Sequence, residues 1–334
     1  MRLKLFSLAL AATASVVTGS ALAQDKTLKL SFYPPTVHPM VGALEAWGKS
    51  LTEATGGSVK VEIYTSEQLG KAVDQYDMAR DGISDMSMAP PGLTPGRFPI
   101  ITLTEIPFTF EEVGKGSGNF HRWYQKYADK EMGDVKLCMV ILHDPGILHM
   151  TGKQPKVPAD MAGTKIRPAN GTMANYLSGM GASTVQAAMG EIREQVERGV
   201  VDGITFPWNS VFITKAESKL TYHLDVGMYT APNAFVMNQS FYDGLSDDQK
   251  KAVDAHCTPE WSAKLATPWA EFERAGREKF ANLEGHTLYK PTDEELALWK
   301  KAAEPQAARI FEGMKRLGLD GQTLLDELKA EMAK

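Results

Sequence analysis

Short apolar runs dominate the first third of the chain, and the segments between them have apolar residues at helical spacing. Three of these runs have the length and composition of strands: residues 28–32, 59–64 and 83–89. Apolar residues at helical spacing fill the interval between the first two runs, and Gly56-Gly57 ends that helix. A second helix ends near Arg80, before the third run. This alternation of strands and helices predicts an α/β lobe with a mainly parallel sheet.

A weak internal repeat predicts a second lobe of the same kind. One helix leads into residues 82–85 (Gly-Ile-Ser-Asp), and a later helix leads into residues 199–202 (Gly-Val-Val-Asp). Each motif precedes a strand that leads to a proline, Pro90 or Pro207. A glycine can adopt the left-handed conformation that ends a helix, and α/β proteins bind ligands at strand tips. We therefore expect two similar lobes whose strand tips face one cleft.

The remaining segments predict how the lobes are joined. The apolar run 135–151 and the later run 233–238 are both expected to cross from one lobe to the other. A long helical region follows and is expected to break at Pro268, and the tail after residue 293 has the spacing of two amphipathic helices. The predicted lobes consist of residues 24–142 with 239–275, and of residues 143–238 with 276–334.

The N-terminus and the composition predict an exported protein. Arg2 and Lys4 precede an apolar run, and residues 21–23 (Ala-Leu-Ala) form a small-residue cleavage site. Residues 1–23 are therefore expected to be a cleaved signal peptide, since the apolar run is too short to span a membrane. A net charge of −5 and a pI near 5.9 argue against nucleic acid as a partner. The expected location is the periplasm.

Two cysteines are present, Cys138 and Cys257. Cys138 lies in an apolar run and has the pattern of a buried strand residue, whereas Cys257 follows a helical segment. They are far apart in sequence, so we expect unpaired cysteines, with a disulfide as the alternative. Neither has a second cysteine or histidine at the spacing of a metal site, so no metal is expected.

The strongest functional signal is segment 163–170, which reads Gly-Thr-Lys-Ile-Arg-Pro-Ala-Asn. Pro168 biases Arg167 to an extended backbone and ends the strand, so the arginine side chain is expected at the strand tip. A guanidinium there can hold a carboxylate through two parallel hydrogen bonds. A surface ion pair is the alternative for a lone arginine, but the position at a strand tip favours an anion-binding role.

No catalytic motif was found. The chain lacks the common zinc-protease, redox, nucleophile-elbow and phosphate-loop motifs, and its seven histidines are scattered. His143 and His149 have the wrong spacing to share a helix face. An enzyme is therefore not expected, although an exported hydrolase is kept as the alternative to a binding protein.

A series of short motifs occurs in a characteristic order along the chain: Glu67-Gln68-Leu69-Gly70, Gly82-x-x-Asp85, Asp160-x-x-Gly163-x-Lys165-Ile166-Arg167, Gly181-Ala182, Gly199-Val200-Val201-Asp202-Gly203-x-x-x-Pro207, and Asn238 with Phe241 and Leu245. In this order and spacing, the chain resembles the DctP-type solute-binding proteins of tripartite ATP-independent periplasmic (TRAP) transporters. The resemblance covers nearly all of the chain after residue 23.

The resemblance implies a two-lobed, class II-like periplasmic binding protein fold, with mixed sheets flanked by helices and a long helix that spans both lobes. It also implies that the protein traps an organic acid by hinge closure and delivers it to a permease made of a small and a large membrane subunit. No cofactor is implied. The tail lacks the added helix through which some relatives pair, so a monomer is expected. A receptor for a sensor kinase is the alternative within this class.

The resemblance also assigns site residues. The family's carboxylate-clamping arginine falls on Arg167. In the family, the residue before the proline that corresponds to Pro207 is commonly an asparagine that contacts the ligand. Here it is Phe206, and together with Trp208 it favours an aromatic or branched monocarboxylate over a polar dicarboxylate. The other positions expected to contact the ligand come from both lobes and the crossing strands: Tyr33, His38, Pro90, His143, His149, Asn170, Asn209 and Phe235.

Overall fold

The computed structural model describes residues 25–110, 113 and 116–334, so the predicted signal peptide lies outside the described residues. The strands are β1 (Lys26–Ser31), β2 (Val59–Tyr64), β3 (Met86–Ala89), β4 (Lys136–Leu142), β5 (Gly146–Met150), β6 (Lys165–Arg167), β7 (Ser183–Thr184), β8 (Gly203–Phe206), β9 (Tyr222–Tyr229), β10 (Pro232–Met237) and β11 (Thr287–Tyr289). The α-helices are α1 (Met40–Ala54), α2 (Gln75–Arg80), α3 (Gly116–Tyr124), α4 (Asp129–Met132), α5 (Gly171–Gly179), α6 (Ile192–Glu197), α7 (Ser210–Thr214), α8 (Gln239–Asp243), α9 (Asp247–His256), α10 (Pro259–Ala281), α11 (Asp293–Lys315) and α12 (Gly321–Met332).

The first lobe is built on a five-stranded sheet of order β2-β1-β3-β10-β4. Strands β2, β1 and β3 are parallel, and β10 runs antiparallel to both of its neighbours. Alternate residues of β10 enter different cores: Ala234 packs with the aromatic residues of α3, whereas Phe235 packs with Trp47 of α1. The sheet is therefore covered by helices on both faces, which confirms the predicted α/β class.

The second lobe repeats this plan in a six-stranded sheet of order β11-β9-β5-β8-β6-β7. Strands β8, β6 and β7 are parallel, and β5 runs antiparallel to its neighbours β8 and β9. One face is covered by a cluster around Trp299 and Tyr176, and another cluster contains Ile204 and Phe280. Two of the candidate site residues end strands of this sheet: Arg167 ends β6 and Phe206 ends β8.

The two copies of the internal repeat have the same structure. Gly82 and Gly199 have φ values of 75° and 67°, a backbone conformation that glycine adopts without strain. The carboxylate of Asp85 accepts the backbone N–H of Lys29 at 2.8 Å, and Asp202 accepts the corresponding N–H of Lys165 at 2.8 Å. Each aspartate thus ties its own strand to the neighbouring parallel strand, which gives the motif a physical reason.

Two short segments connect the sheets. The chain passes from β4 of the first sheet to β5 of the second through residues 143–145, as the apolar run 135–151 predicted. It returns between β9 and β10 through residues 230–231. The second crossing was expected within residues 233–238, but β10 lies wholly in the first sheet, and the crossing comes just before it.

Two long helices span both lobes. Leu265 and Trp269 of α10 pack in the core beside β1, whereas Phe280 at its other end packs in the second lobe. The expected break at Pro268 was wrong, because α10 continues through it as one 23-residue helix. Packing of both halves of the helix outweighs the one backbone hydrogen bond that a proline removes.

Helix α11 connects the lobes in the same way, and α12 returns to the first. Trp299 of α11 belongs to a second-lobe core and Met314 to the first-lobe core around α3. Leu324 and Leu328 of α12 pack in that same first-lobe core. The predicted boundaries placed residues 276–334 wholly in the second lobe, whereas α12 lies beside the first sheet.

Cys138 on β4 and Cys257 after α9 form a disulfide, and their Cα atoms are 4.3 Å apart. The expectation of unpaired cysteines was therefore wrong. The pairing depends on the packing of α9 beside the first sheet, which brings together two positions 119 residues apart in sequence. Cys138 is fully buried, as its strand pattern predicted.

Candidate ligand-binding site

Arg167 is the last residue of β6, and its side chain is buried where the lobes meet. Its Nε and Nη2 atoms donate to the carbonyl oxygen of Ala187 at 3.2 and 3.1 Å. Its Nη1 atom is buried and has no hydrogen-bond partner. A guanidinium has five N–H groups, so two are used by Ala187 and the fork of Nη1 and Nη2 remains available. That fork is the geometry that binds a carboxylate.

No carboxylate of the described residues balances the charge of Arg167. Burial lowers its pKa, and the groups that act on it electrostatically are the phenols of Tyr229 and Tyr33. A buried charge without a partner is strongly unfavourable, even for arginine, which stays protonated. An anion that enters beside Nη1 would remove this penalty. The site is therefore suited to an anionic ligand.

One aromatic side chain, Phe206, lies beside the guanidinium on the second-lobe side. The Cζ atom of Arg167 lies 5.4 Å from the ring centroid of Phe206, at the tip of β8. Trp208 lies two residues further on and packs against His149 and Phe280, with centroids 5.6 and 5.9 Å away. Phe206 and Trp208 are 8% and 9% exposed, so each keeps some surface for a ligand. Phe206 therefore gives the guanidinium a flat, apolar neighbour.

The candidate residues of the first lobe are Tyr33, just after β1, His38, in the loop that follows it, and Pro90, directly after β3. The Tyr33 hydroxyl donates to Asn233 Oδ1 at 3.1 Å, which fixes the phenol near Arg167. His38 lies edge-on to Trp269 with centroids 4.9 Å apart, and burial lowers its pKa to about 3, so its imidazole is neutral. Pro90 is half-buried just after β3. The Tyr33 phenol of the first lobe acts electrostatically on Arg167 of the second.

Asn170 caps the helix that follows Arg167. Its Oδ1 atom accepts the backbone N–H of Met173 at 2.8 Å, the standard N-cap bond of α5. Its Nδ2 atom is buried without a partner. The cap fixes the side chain, and the amide N–H groups remain available to a ligand.

Both predicted histidines of the crossing strand are engaged within the protein. His143 Nε2 accepts the backbone N–H of Ala231 at 3.1 Å, and Nδ1 donates to the carbonyl of Asp144 at 2.6 Å. These bonds join the two crossing segments, since residues 143 and 231 belong to different crossings. No ring nitrogen of His143 is left for a ligand hydroxyl, so this histidine supports the hinge.

His149 supports the tip of β8 from within the second lobe. Its Nε2 atom lies 3.1 Å from the carbonyl oxygen of Phe206 and must carry the proton. Its Nδ1 atom therefore accepts from His223 Nδ1, which is 2.7 Å away. Burial lowers the pKa of His149 to about 3, which is consistent with a neutral ring. The structure places His149 behind Phe206, and its side chain has no exposed surface.

Asn209 and Phe235 also have structural roles. The Asn209 amide donates to the carbonyl of Phe272 at 2.6 Å and accepts from Lys279 Nζ at 3.0 Å, so both of its ends are bound to α10. Phe235 has no exposed surface and packs in the first-lobe core. Both are predicted to contact the ligand, but α10 engages the Asn209 amide and Phe235 is fully buried.

Glu273 of α10 anchors the loop that carries Trp208. Its carboxylate accepts the backbone N–H groups of Asn209 and Ser210 at 2.7 and 3.0 Å and the Trp269 indole N–H at 2.9 Å. Gly276, one turn further along, allows close approach, because a Cβ atom there would lie 2.3 Å from the Asn209 backbone nitrogen. The position of the loop that carries Trp208 is therefore set by α10, the helix that spans both lobes.

Sequence reasoning missed several residues of the site. The carbonyl of Ala187 orients Arg167, and no sequence signal could have found it, because any residue supplies a carbonyl. Tyr229 lies just before the second crossing, and its buried hydroxyl lies beside the Thr205 side chain. An aromatic residue with a polar tip beside a crossing segment could have been singled out.

Comparison with known proteins identifies the family. The model of the DctP family, bacterial extracellular solute-binding protein family 7, matches residues 30–314. The chain belongs to this family. The resemblance inferred from the motifs is thereby confirmed, and so is the binding-protein class, since the family and its structural neighbours are transport proteins and not enzymes.

Similar solved structures support the same assignment for this DctP-family protein. A TRAP solute-binding protein of Rhodoferax ferrireducens T118, solved with copurified benzoate, is 28% identical with a TM-score of 0.83, covering 92% of this chain and 97% of that one. One from Bordetella bronchiseptica, with bound (R)- and (S)-mandelate, is 25% identical with a TM-score of 0.85, covering 92% and 98%. The two-lobed fold is thereby confirmed.

A curated relative extends beyond the matched region. The uncharacterized protein y4mM of Sinorhizobium fredii is 28% identical over 245 residues, which are 72% of this chain but 45% of that protein. The match therefore spans less than half of that relative. Among the described residues of this DctP-family chain, no helix is both long and apolar enough to cross a membrane. The same residues contain no group of three or more His, Cys, Asp or Glu side chains that could hold a metal ion.

Proposed function

We propose that this protein captures a small aromatic monocarboxylate between its lobes for a TRAP transporter. The observation that carries the proposal is the guanidinium of Arg167, which is buried, lacks a carboxylate partner among the described residues and has Nη1 unbonded. A guanidinium buried in this way is tolerated when a ligand supplies the opposite charge. A carboxylate bound to the free fork would do so.

The surroundings of Arg167 favour a flat, apolar acid. Phe206 lies beside the guanidinium, and Trp208 belongs to the same apolar cluster as Phe206. A ligand ring placed there gains offset or edge-on aromatic contacts, each worth about 0.5–1.5 kcal/mol beyond area burial. The copurified benzoate of the Rhodoferax protein and the mandelate of the Bordetella protein belong to this chemical class.

Hinge closure is supported by the connections between the lobes. Only two short crossings and two long helices join them within the described residues, so the lobes can rotate about these segments. Direct contact between the lobes includes the hydrogen bond from the Phe108 backbone N–H to the Met228 carbonyl at 2.9 Å. Opening would break such contacts and expose Arg167, and closing around an acid would re-form them.

Delivery to a permease completes the proposal. TRAP solute-binding proteins work with membrane permeases, and we assign this protein to one with a small and a large subunit. The signal-peptide pattern of residues 1–23 supports a periplasmic location.

Phe206→Asn is expected to shift ligand preference away from aromatic acids. The change removes the ring beside Arg167 and adds a polar amide, so the ratio of benzoate affinity to glucuronate affinity should fall by about tenfold. Isothermal titration calorimetry of benzoate, mandelate and glucuronate would measure this ratio. Phe206→Leu, which stays apolar, is the matched control and should keep the ranking. An unchanged ranking in Phe206→Asn would remove Phe206 from the pocket, and a wild-type preference for glucuronate would contradict the aromatic class.

A further inference from the structure

Buried polar atoms without partners concentrate at the candidate site. Among the described residues, eight buried side-chain nitrogen or oxygen atoms lack a hydrogen-bond partner. Three of them belong to Arg167, Asn170 and Glu105, and a fourth, the Tyr229 hydroxyl, lies beside the Thr205 side chain. Since unpaired buried polar atoms are rare in folded proteins, a group of them points to a missing partner molecule.

The structure places Glu105 and Asn170 side by side, and the Tyr229 phenol acts electrostatically on both Arg167 and Glu105. Asn170 follows Arg167 by three positions and caps α5. A Cβ atom added to Gly92 would lie 1.9 Å from Glu105 Oε1 and 2.9 Å from Asn170 Cβ, so Glu105 and Asn170 are neighbours on either side of Gly92. The cluster therefore extends from the guanidinium to the Glu105 carboxyl.

Glu105 approaches the site from the first lobe. It ends a short helical turn, Ile101–Glu105, and is 1% exposed. Its Oε2 atom accepts the hydroxyl of Thr172 from the second lobe at 2.8 Å, and Oε1 has no partner. Burial raises the pKa of this carboxyl and the Thr172 bond lowers it, and no cation among the described residues acts on it. Its free oxygen is thus available next to the free amide of Asn170.

We propose that the ligand carries a hydroxyl group in addition to its carboxylate, and that Glu105 and Asn170 bind this hydroxyl while Arg167 binds the carboxylate. The inference rests on the proposed function. Asn170 Nδ2 can only donate, and an ionised Glu105 Oε1 can only accept. A hydroxyl does both, so one ligand group satisfies the two neighbouring atoms.

The protonation state of Glu105 does not change this conclusion. Burial raises the pKa of Glu105 to about 8, so its carboxyl is mostly protonated at pH 7 and donates from Oε1. A ligand hydroxyl can then accept from both Glu105 and Asn170. An acid without the hydroxyl leaves these buried groups unpaired, and sites built around such bonds discriminate strongly against the analogue that lacks them.

The test compares matched acids by calorimetry: mandelate with phenylacetate, and 3-hydroxybenzoate with benzoate. In at least one pair, the wild type should bind the hydroxylated acid at least about tenfold more tightly. Glu105→Met should reduce that ratio to near one, and the affinity for the acid without a hydroxyl should change little. Glu105→Gln, which keeps the hydrogen-bonding capacity, should retain much of the preference. Thr172→Val is the matched control, because it removes only the bond to Oε2 and should leave the ratio unchanged.

Three outcomes would overturn the inference. Equal wild-type affinity for both members of each pair would show that no hydroxyl is recognised. An unchanged ratio in Glu105→Met would remove Glu105 from the recognition. A proportional loss of both acids in Glu105→Met and Glu105→Gln would give Glu105 a structural role. The failure of every acid to bind the wild type would instead contradict the proposed function itself.

Discussion

Arg167→Ala is expected to weaken the binding of carboxylate ligands by about 10²- to 10⁴-fold. Two charge-assisted hydrogen bonds from the free fork would be lost, and each contributes about 1.5–3 kcal/mol. The fold should be retained, because the side chain makes its hydrogen bonds with a single backbone carbonyl, that of Ala187. Calorimetric titration with benzoate and mandelate would measure the loss, and circular dichroism would check the fold.

Two further variants sharpen this prediction. Arg193→Ala, in α6 of the same lobe, removes an exposed arginine that pairs with Glu197 and should leave binding unchanged. Arg167→Met removes the buried charge but keeps apolar volume, so the ligand-free protein should melt at the same temperature or higher while binding is lost. If Arg167→Met unfolded the ligand-free protein, the guanidinium would have a structural role. Ligand affinity that survived Arg167→Ala would contradict the clamp.

Loss of the Cys138–Cys257 disulfide is expected to destabilise the protein by about 4–5 kcal/mol, since the chain-entropy model gives this value for a closed loop of more than about 100 residues. The loop spans 119 residues and contains both crossings and most of the second lobe. Its closure therefore restricts the unfolded chain strongly. Urea unfolding of the oxidised protein and of the Cys138→Ser/Cys257→Ser double variant would measure the difference.

Reductant provides the control for the disulfide prediction. It should lower the urea midpoint of the wild type and have no effect on the double variant. Ligand affinity at low urea should be the same in both, because the disulfide lies in the first-lobe core cluster, which includes neither Arg167 nor Phe206. Equal midpoints for wild type and double variant would show that the crosslink does not contribute to stability.

Local signals in the sequence were sufficient to predict the fold class and the position of Arg167 at the end of a strand. The Gly-x-x-Asp repeat could be found because glycine at a positive φ and a carboxylate that binds the neighbouring strand act over a few residues. Arg167 could be found because Pro168 ends the strand directly after it. In both cases the signal lies within a few neighbouring positions of the chain.

Roles that depend on tertiary neighbours could not be predicted in the same way. His143 and Asn209 have the chemistry of ligand-binding residues, but Ala231 and α10 engage their polar atoms. Glu105 lies in a segment without a strong pattern, and its burial becomes evident only when the lobes meet. The disulfide likewise depends on which helix covers β4. In each case the partner is distant in sequence and has no local signature.

The most direct test of the central claim is a thermal-shift comparison of the wild type with carboxylic acids and their neutral amides, benzoate against benzamide and mandelate against mandelamide. At 100 times its dissociation constant, a ligand stabilises the folded state by about 2.7 kcal/mol, which gives a clear shift in melting temperature. We expect at least one acid to produce this shift while its amide, which cannot neutralise Arg167, does not. Equal shifts by an acid and its amide would contradict a carboxylate clamp at Arg167.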